Sequence, residues 1–251
     1  MTQKSSDETI SEAIARQAPA DLAPGGVLRR EDFSRERVTQ LRDLAREFGQ
    51  DWIITHQERD ANRAEATKHL KPGAPVWVFG YGSLMWNPAI HVAATERAQI
   101  YGYHRSFCLD LIFGRGAPDN PGLMLGLDSG GSCIGLAHKI APDHVESELE
   151  ILWMREMIGR GYEPKWITAR CESGPREVLT FVANKANERY IGPQPFDEAA
   201  KRIARSEGIL GKNRDYLYNT IKHLDEFGIA DGPLHRLERE VRRIAGNPRP
   251  D

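Results

Sequence analysis

Two stretches of this chain carry residue types that could do chemistry. The first is Val78-Phe79-Gly80-Tyr81-Gly82-Ser83-Leu84-Met85-Trp86-Asn87-Pro88, which runs from an apolar pattern straight into a glycine-rich turn. Val76-Trp77-Val78-Phe79 is rich in β-branched and aromatic residues and predicts a strand, after which Gly80 and Gly82 permit backbone angles that side chains forbid. Such a turn brings bare N–H groups against a ligand, where they bind a carboxylate or stabilise an oxyanion. A plain structural turn is the competing reading of a glycine pair after a strand.

The second stretch ends in Glu156. Val145, Leu149, Leu152 and Trp153 fall on one helical stripe, and position 156 continues it, so the Glu156 carboxylate is expected to face the core. Glutamate is seldom buried without a partner, and desolvation raises its pKa above the usual value of about 4.3, toward the range of a general acid or base. Two bland readings stand beside that one: a pair with Arg155 or Arg160, or a frayed helix end before Gly159 and Gly161. Glu146, Glu148 and Glu150, upstream on the same helix, read as solvent-facing.

The elements that must position these groups follow from periodicity and punctuation. Short β-like segments run over Val76 to Phe79, Ala98 to Leu111, Leu123 to Leu127 and Cys133 to Ile140. Asp143 with Glu146 three residues on predicts a capping box for the helix that carries Glu156. Trp166 to Cys171 and Glu177 to Val182 read as further strands, and three helices are expected near Pro195 to Ser206, Asn213 to Phe227 and Pro233 to Ala245. Strands first and helices later, without regular βαβ alternation, argue for an α+β fold.

Met1 to Gly26 reads as a mobile polar tail. Ser34 starts a helix with Val38, Leu41, Leu44, Ala45 and Phe48 on one face, and Gln57 to Lys68 is helix-compatible. The expected organisation is an extension over residues 1–70, its helical part packed on a main domain over 71–251, with Lys71-Pro72-Gly73-Ala74-Pro75 as the joint.

Composition excludes several classes. With 36 acidic and 34 basic side chains the formal charge is -2, which gives no nucleic-acid footprint and no membrane-surface patch. Arg239, Arg242 and Arg243 gather near the C-terminus, but Glu238 and Glu240 among them favour a solvated helix face. Three scattered cysteines, Cys108, Cys133 and Cys171, suit a reducing compartment. No secretory leader pattern and no membrane-length apolar run is visible, so a cytoplasmic protein is expected. No metal-ligand spacing occurs among the eight histidines and three cysteines.

The turn from Val78 to Pro88 resembles the substrate loop of the ChaC family, the glutathione-specific γ-glutamylcyclotransferases. Further segments agree in order: His104-Arg105-Ser106-Phe107-Cys108, Gly114-Arg115-Gly116, Pro121-Gly122, Trp153-Met154-Arg155-Glu156-Met157, Tyr162 and Tyr216-Leu217. They span about Pro75 to Phe227, and the segment between Glu156 and Tyr162 is similar to that of the longer bacterial members. The resemblance implies a small, closed mixed β-barrel flanked by helices, with Glu156 as the catalytic acid and base and no cofactor.

It further implies a small-molecule substrate, glutathione or a γ-glutamyl peptide, held by Gly80, Tyr81, Gly82, Ser83, Leu84 and Met85. The α-amine of the γ-glutamyl group would close on its own γ-carbonyl to give 5-oxoproline and Cys-Gly. No external nucleophile is required, in keeping with a Ser83 that lacks the Gly-x-Ser-x-Gly elbow. Tyr216 matches a substrate-contacting tyrosine but sits on a helix face with Leu217, Ile221 and Leu224, where a core role also fits. Arg105 could meet a substrate carboxylate or make a structural ion pair, and the loop from Gly114 to Gly122 is placed at the pocket border. A cyclotransferase for other γ-glutamyl amines, and a non-catalytic γ-glutamyl-binding regulator of cation transport, are the alternative functions.

Overall fold

Strands β1 (Val76–Gly80), β2 (Ala94–Leu111), β3 (Gly122–Ile140), β4 (Tyr162–Cys171) and β5 (Gly174–Ala183) close into a barrel in the order β1-β3-β2-β4-β5. The computed structural model describes residues 9–19, 21–22 and 27–247. Neighbouring strands run antiparallel except at the seam, where β1 lies parallel to β5 with Val78 opposite Leu179. The expected closed, mixed barrel with flanking helices is the observed architecture.

All of β1 is buried because both of its faces are covered, and successive side chains point to opposite faces. Trp77 and Phe79 pack inside the barrel and under its C-terminal helices, with Ile100, Leu125 and Val178. Val76 and Val78 pack against Ile140, Leu179 and the helix α4 (Val145–Glu156) through Leu149, Leu152 and Trp153. On the first side the barrel is covered by α5 (Phe196–Arg205), α6 (Asn213–Glu226) and α7 (Gly232–Ile244). A two-stranded pair, β6 (Glu207–Gly208) and β7 (Gly211–Lys212), joins α5 to α6. Among the described residues no helix is long and apolar enough to cross a membrane.

The two separate segments expected at Leu123–Leu127 and Cys133–Ile140 are one strand, β3, paired with β2 along almost its whole length. Residues 129–132 are exposed, polar or glycine, so no apolar periodicity marks them. Register shifts between Tyr101 and Tyr103 and the positive φ angles of Gly102, Gly130 and Gly131 bend this hairpin where it leaves the barrel.

The capping box expected at Asp143 does not form. A 3-10 turn, Pro142–His144, draws Asp143 into helical geometry, and His144 is the uncapped N-cap of α4. Glu146 is drawn instead to Arg63. Of the three glutamates expected to face solvent, Glu146 does, but Glu148 is buried and Glu150 half-buried. Glu148 is 1% exposed and takes two hydrogen bonds from Arg30, one at 2.9 Å, and Glu150 meets Arg35 Nε at 2.8 Å. At the other end of the chain Glu238, expected on a solvated face, is buried against Arg242.

Arg30, Arg35 and Arg63 belong to the N-terminal extension, whose helices are α1 (Ile10–Gln17), α2 (Arg35–Glu47) and α3 (His56–Thr67). The expected mobile tail is thus helical over Ile10–Gln17, with Thr9 and Glu12 in a reciprocal capping box and Ile14 buried; residues 1–8, 20 and 23–26 of it lie outside the description. Ile14, Phe33, Val38, Leu41 and Leu44 share a core with Phe113 and Met154 of the barrel and α4.

Arg59 completes the joint. Its side chain is fully buried and donates from Nε to Met157 O at 3.0 Å and from Nη2 to Ile54 O at 3.2 Å and Ile158 O at 3.5 Å. These acceptors include carbonyls just beyond α4, where a helix leaves its last C=O groups unsatisfied and favours a cation. Burial pulls the guanidinium pKa down to about 10, so Arg59 stays charged at neutral pH.

Candidate active site

β1 ends at Gly80, and the chain passes through Tyr81 and Gly82 into a 3-10 turn, Ser83–Met85. Neither glycine has a positive φ. Gly82, at φ -130° and ψ -128°, lies outside the β and right-handed helical regions, as expected of a glycine there, and both glycines also allow close approach. A Cβ on Gly82 would sit 2.7 Å from the Tyr216 hydroxyl, and one on Gly80 would sit 3.0 Å from Leu84 and Met85 backbone atoms. The turn is fixed from behind by buried polar groups. His138 Nε2 lies 2.9 Å from Leu84 O, and its Nδ1 lies 3.0 Å from Thr95 Oγ1. Burial lowers the His138 pKa, which keeps the ring neutral, and the carbonyl partner assigns the proton to Nε2.

Arg105 belongs to this support and not to the cleft. It donates from Nε to Tyr81 O, hydrogen-bonds Ile134 O, and pairs with Asp231 at 3.3 Å, with 2% of its side chain exposed. Of the two readings left open for Arg105, the structural ion pair is the one observed, and contact with a substrate carboxylate is set aside.

Glu156 is the last residue of α4 and Tyr162 the first of β4. A single guanidinium links the acid to the turn: Arg155 donates from Nε to Glu156 Oε1 at 2.8 Å and from Nη2 to Ser83 Oγ at 2.8 Å. It also reaches Asn87 O, and its carbon lies 5.4 Å from the centre of the Phe33 ring. The Glu156 side chain keeps 14% exposure. Burial pushes its pKa up and the Arg155 charge pulls against that shift; the net direction is upward.

Three phenols surround this acid. Tyr81 Oη donates to Phe181 O at 3.0 Å, and Tyr162 Oη donates to Leu125 O at 2.7 Å. Burial raises the pKa of Tyr81, Tyr162 and Tyr216, and the nearby Glu156 charge adds to each shift. The Ser83 amide and hydroxyl, directed at the Tyr216 oxygen, oppose the shift there.

Tyr81, Gly82, Ser83, Leu84, Glu156 and Tyr216 line one cleft, while Gly80, Met85 and Arg105 lie outside its wall. Its volume, about 230 Å³, far exceeds the roughly 10–15 Å³ needed by one water, so it is a ligand-sized space rather than a packing void. Gly114 and Arg115 border it, as expected for that loop. Among the described residues no cluster of three or more His, Cys, Asp or Glu side chains is placed to hold a metal.

Sequence reasoning missed other members of the wall. Arg155 was weighed as a partner of Glu156 but not as the bridge to Ser83. Asp32, Phe33 and Trp52 reach the cleft from the extension, and Arg189 reaches it from the loop after β5. Phe33 stands out as a large aromatic among charged residues, and Trp52 opens the short apolar run Trp52-Ile53-Ile54; both signal burial against something distant.

Arg155→Met is expected to lower kcat/KM about 10- to 100-fold, the scale of losing hydrogen bonds to a charged group. Because Arg155 holds the Glu156 pKa down, its removal should also move the acid limb of the pH–rate profile to higher pH. An unmoved limb would show that the pair is not electrostatically coupled.

Comparison with known proteins places this geometry. The profile of the ChaC-like protein family matches residues 76–244. The glutathione-specific gamma-glutamylcyclotransferase of Escherichia coli is 35% identical over 201 residues, covering 79% of this chain and 87% of that protein. Gamma-glutamylcyclotransferase 2-3 of Arabidopsis thaliana is 33% identical over 180 residues, covering 67% of this chain and 89% of its own length. A crystal structure of the glutathione-specific γ-glutamyl cyclotransferase from yeast superposes with a TM-score of 0.62 at 26% identity, covering 68% of this chain and 96% of that one.

A closed five-stranded mixed barrel with a glycine turn facing a helix-end glutamate defines the class, the γ-glutamyl cyclotransferase fold. Within that class, this chain belongs to the ChaC family.

Proposed function

We propose that the protein is a glutathione-specific γ-glutamylcyclotransferase that converts glutathione to 5-oxoproline and Cys-Gly. The observation that carries this reading is the joining of Glu156 to the Ser83 turn through one arginine, in a cleft of substrate size. The cyclotransferase region is read as residues 71–251 and the extension as 1–70. A cytoplasmic setting suits three cysteines that are free and buried.

The α-ammonium of the substrate loses a proton to ionised Glu156, and the free amine attacks the γ-carbonyl carbon. A C–N bond forms as the five-membered ring closes, and the C–N bond to cysteine breaks. As the ring forms, its nitrogen gives up a second proton, and this proton together with the one held by Glu156 goes to the departing nitrogen, which leaves as the ammonium of Cys-Gly, so the carboxylate is regenerated and nothing else is consumed. Backbone N–H groups between Tyr81 and Leu84 hold a substrate oxygen, the α-carboxylate or the developing oxyanion. Tyr216 lies against the same turn and orders the bound γ-glutamyl group.

The test is release of 5-oxoproline and Cys-Gly from glutathione by the purified protein, with γ-glutamyl amino acids as competitors. No 5-oxoproline from any of them would refute the reading. A pH dependence follows from the raised Glu156 pKa. The base must be ionised to act, so kcat/KM should fall as pH drops through that raised value, at a pH above the ordinary glutamate range near about 4.3. A limb at or below that range would mean that the acting acid is not a desolvated one.

A further inference from the structure

Besides Arg155, the cleft is lined by Arg115 and Arg189, and the cyclisation just described gives Arg189 no work. Arg189 lies in the loop between β5 and α5, anchored by Nε donating to Asp110 O at 3.0 Å and by the Asp110 amide donating to Arg189 O at 2.7 Å. The indole of Trp52, from the extension, lies 4.6 Å from the guanidinium carbon, a stacking distance that fixes its plane. Among the described residues neither Nη atom donates to a protein acceptor and no carboxylate forms an ion pair with Arg189. The nearby Asp110 carboxylate is taken by Arg202, and Glu188, the neighbour in sequence, is exposed.

Arg189 is half-buried, and burial pulls its pKa down against the opposing charges of Asp110 and Glu188. A planar cation held at Nε and stacked on one face keeps its Nη edge for a planar anion, and carboxylate is the matching shape. Glu156, Tyr162 and Arg189 line the same cleft. Leu109, Phe113 and Met124 supply apolar wall in the same cleft.

We propose that Arg189, held by Trp52, binds the terminal carboxylate of the leaving portion of the γ-glutamyl substrate. The inference rests on the cyclisation reading and adds a selection to it. Leaving groups with a free carboxylate are preferred over amines and esters, and the extension takes part in that choice through Trp52.

The test crosses two proteins with two ligands: wild type and Arg189→Gln against glutathione and its glycyl monoethyl ester. For the wild type, esterification is expected to raise KM about 10- to 100-fold with kcat little changed, the scale of a charge-assisted contact. Arg189→Gln should raise KM for glutathione by a similar factor, and esterification should then add little. Arg189→Lys should recover part of the acid-over-ester preference, which a merely structural arginine would not produce. Equal treatment of acid and ester by the wild type, or a full preference retained in Arg189→Gln, would overturn the assignment.

Calorimetry of acid and ester binding to the Glu156→Gln protein, with and without Arg189→Gln, reads the same ratio without turnover. If no 5-oxoproline is formed by any protein, the cyclisation reading fails. The calorimetric ratio still decides whether Arg189 receives a carboxylate.

Discussion

Glu156→Gln should abolish nearly all turnover, lowering kcat about 10²- to 10⁴-fold, the usual contribution of a positioned general acid and base. The amide keeps the shape of the side chain, and its carbonyl can still accept from Arg155 Nε, so the bridge to Ser83 is expected to survive. Substrate binding then changes little, and KM should stay within a few-fold of wild type. What disappears, on the proposed mechanism, is the group that first removes the ammonium proton and then returns it to the leaving nitrogen. Ring closure retains the advantage of an intramolecular attack, worth about 7–11 kcal/mol in well-oriented cases, so a small residual rate is expected. Thermal melting should show a folded variant, because a buried carboxyl has been replaced by a neutral isostere. A folded Glu156→Gln protein releasing 5-oxoproline at the wild-type rate would remove this residue from the chemistry.

Arg59→Leu is expected to produce the largest loss of stability. The leucine would leave the Met157 and Ile54 carbonyls buried without their arginine donor, and each such orphan costs about 1–3 kcal/mol. Removing a buried cation relieves its own desolvation, which offsets part of that sum. A net loss of about 3 kcal/mol is the expected balance, or roughly 6–12 °C in Tm at about 2–4 °C per kcal/mol for a chain of this size. Activity should fall with it well below the melting range, since Met157 directly follows Glu156 in the chain. An unchanged melting curve would mean that the extension is fastened by its apolar contacts and surface ion pairs alone.

Most strands, the helices and the Glu156 stripe were legible because each is written in local periodicity, whereas closure into a barrel was implied only by the family resemblance. β1 reads as a strand from the four residues Val76 to Phe79, and α4 declares its inner face through Leu149, Leu152 and Trp153. What was illegible depends on partners remote in sequence. Glu148 looks like any charged helix residue until Arg30 is brought to it across 118 positions. Asp143 has the spacing of a cap, but Pro142 starts a 3-10 turn one residue earlier and removes the need. On paper Arg105 is a candidate ligand and Arg155 only a partner for Glu156. Only the fold puts the first behind the turn and the second between the turn and the acid. The function rested on the motif at Val78 to Pro88 and its ordered companions, whereas nothing local told which surface Phe33 and Trp52 would cover.

The seam of the barrel bears on how this protein comes off the ribosome. β1 is held on one side by β3 and on the other by β5, and Tyr81 bonds to a carbonyl 100 residues further on. Pairings of such high contact order form late, because a long loop must be closed before they repay the lost entropy. The Ser83 turn hangs from the end of β1, so a nascent chain still short of β5 cannot shape its catalytic pocket. The enzyme is therefore inert through most of its own translation and becomes competent only once the last barrel strand has docked.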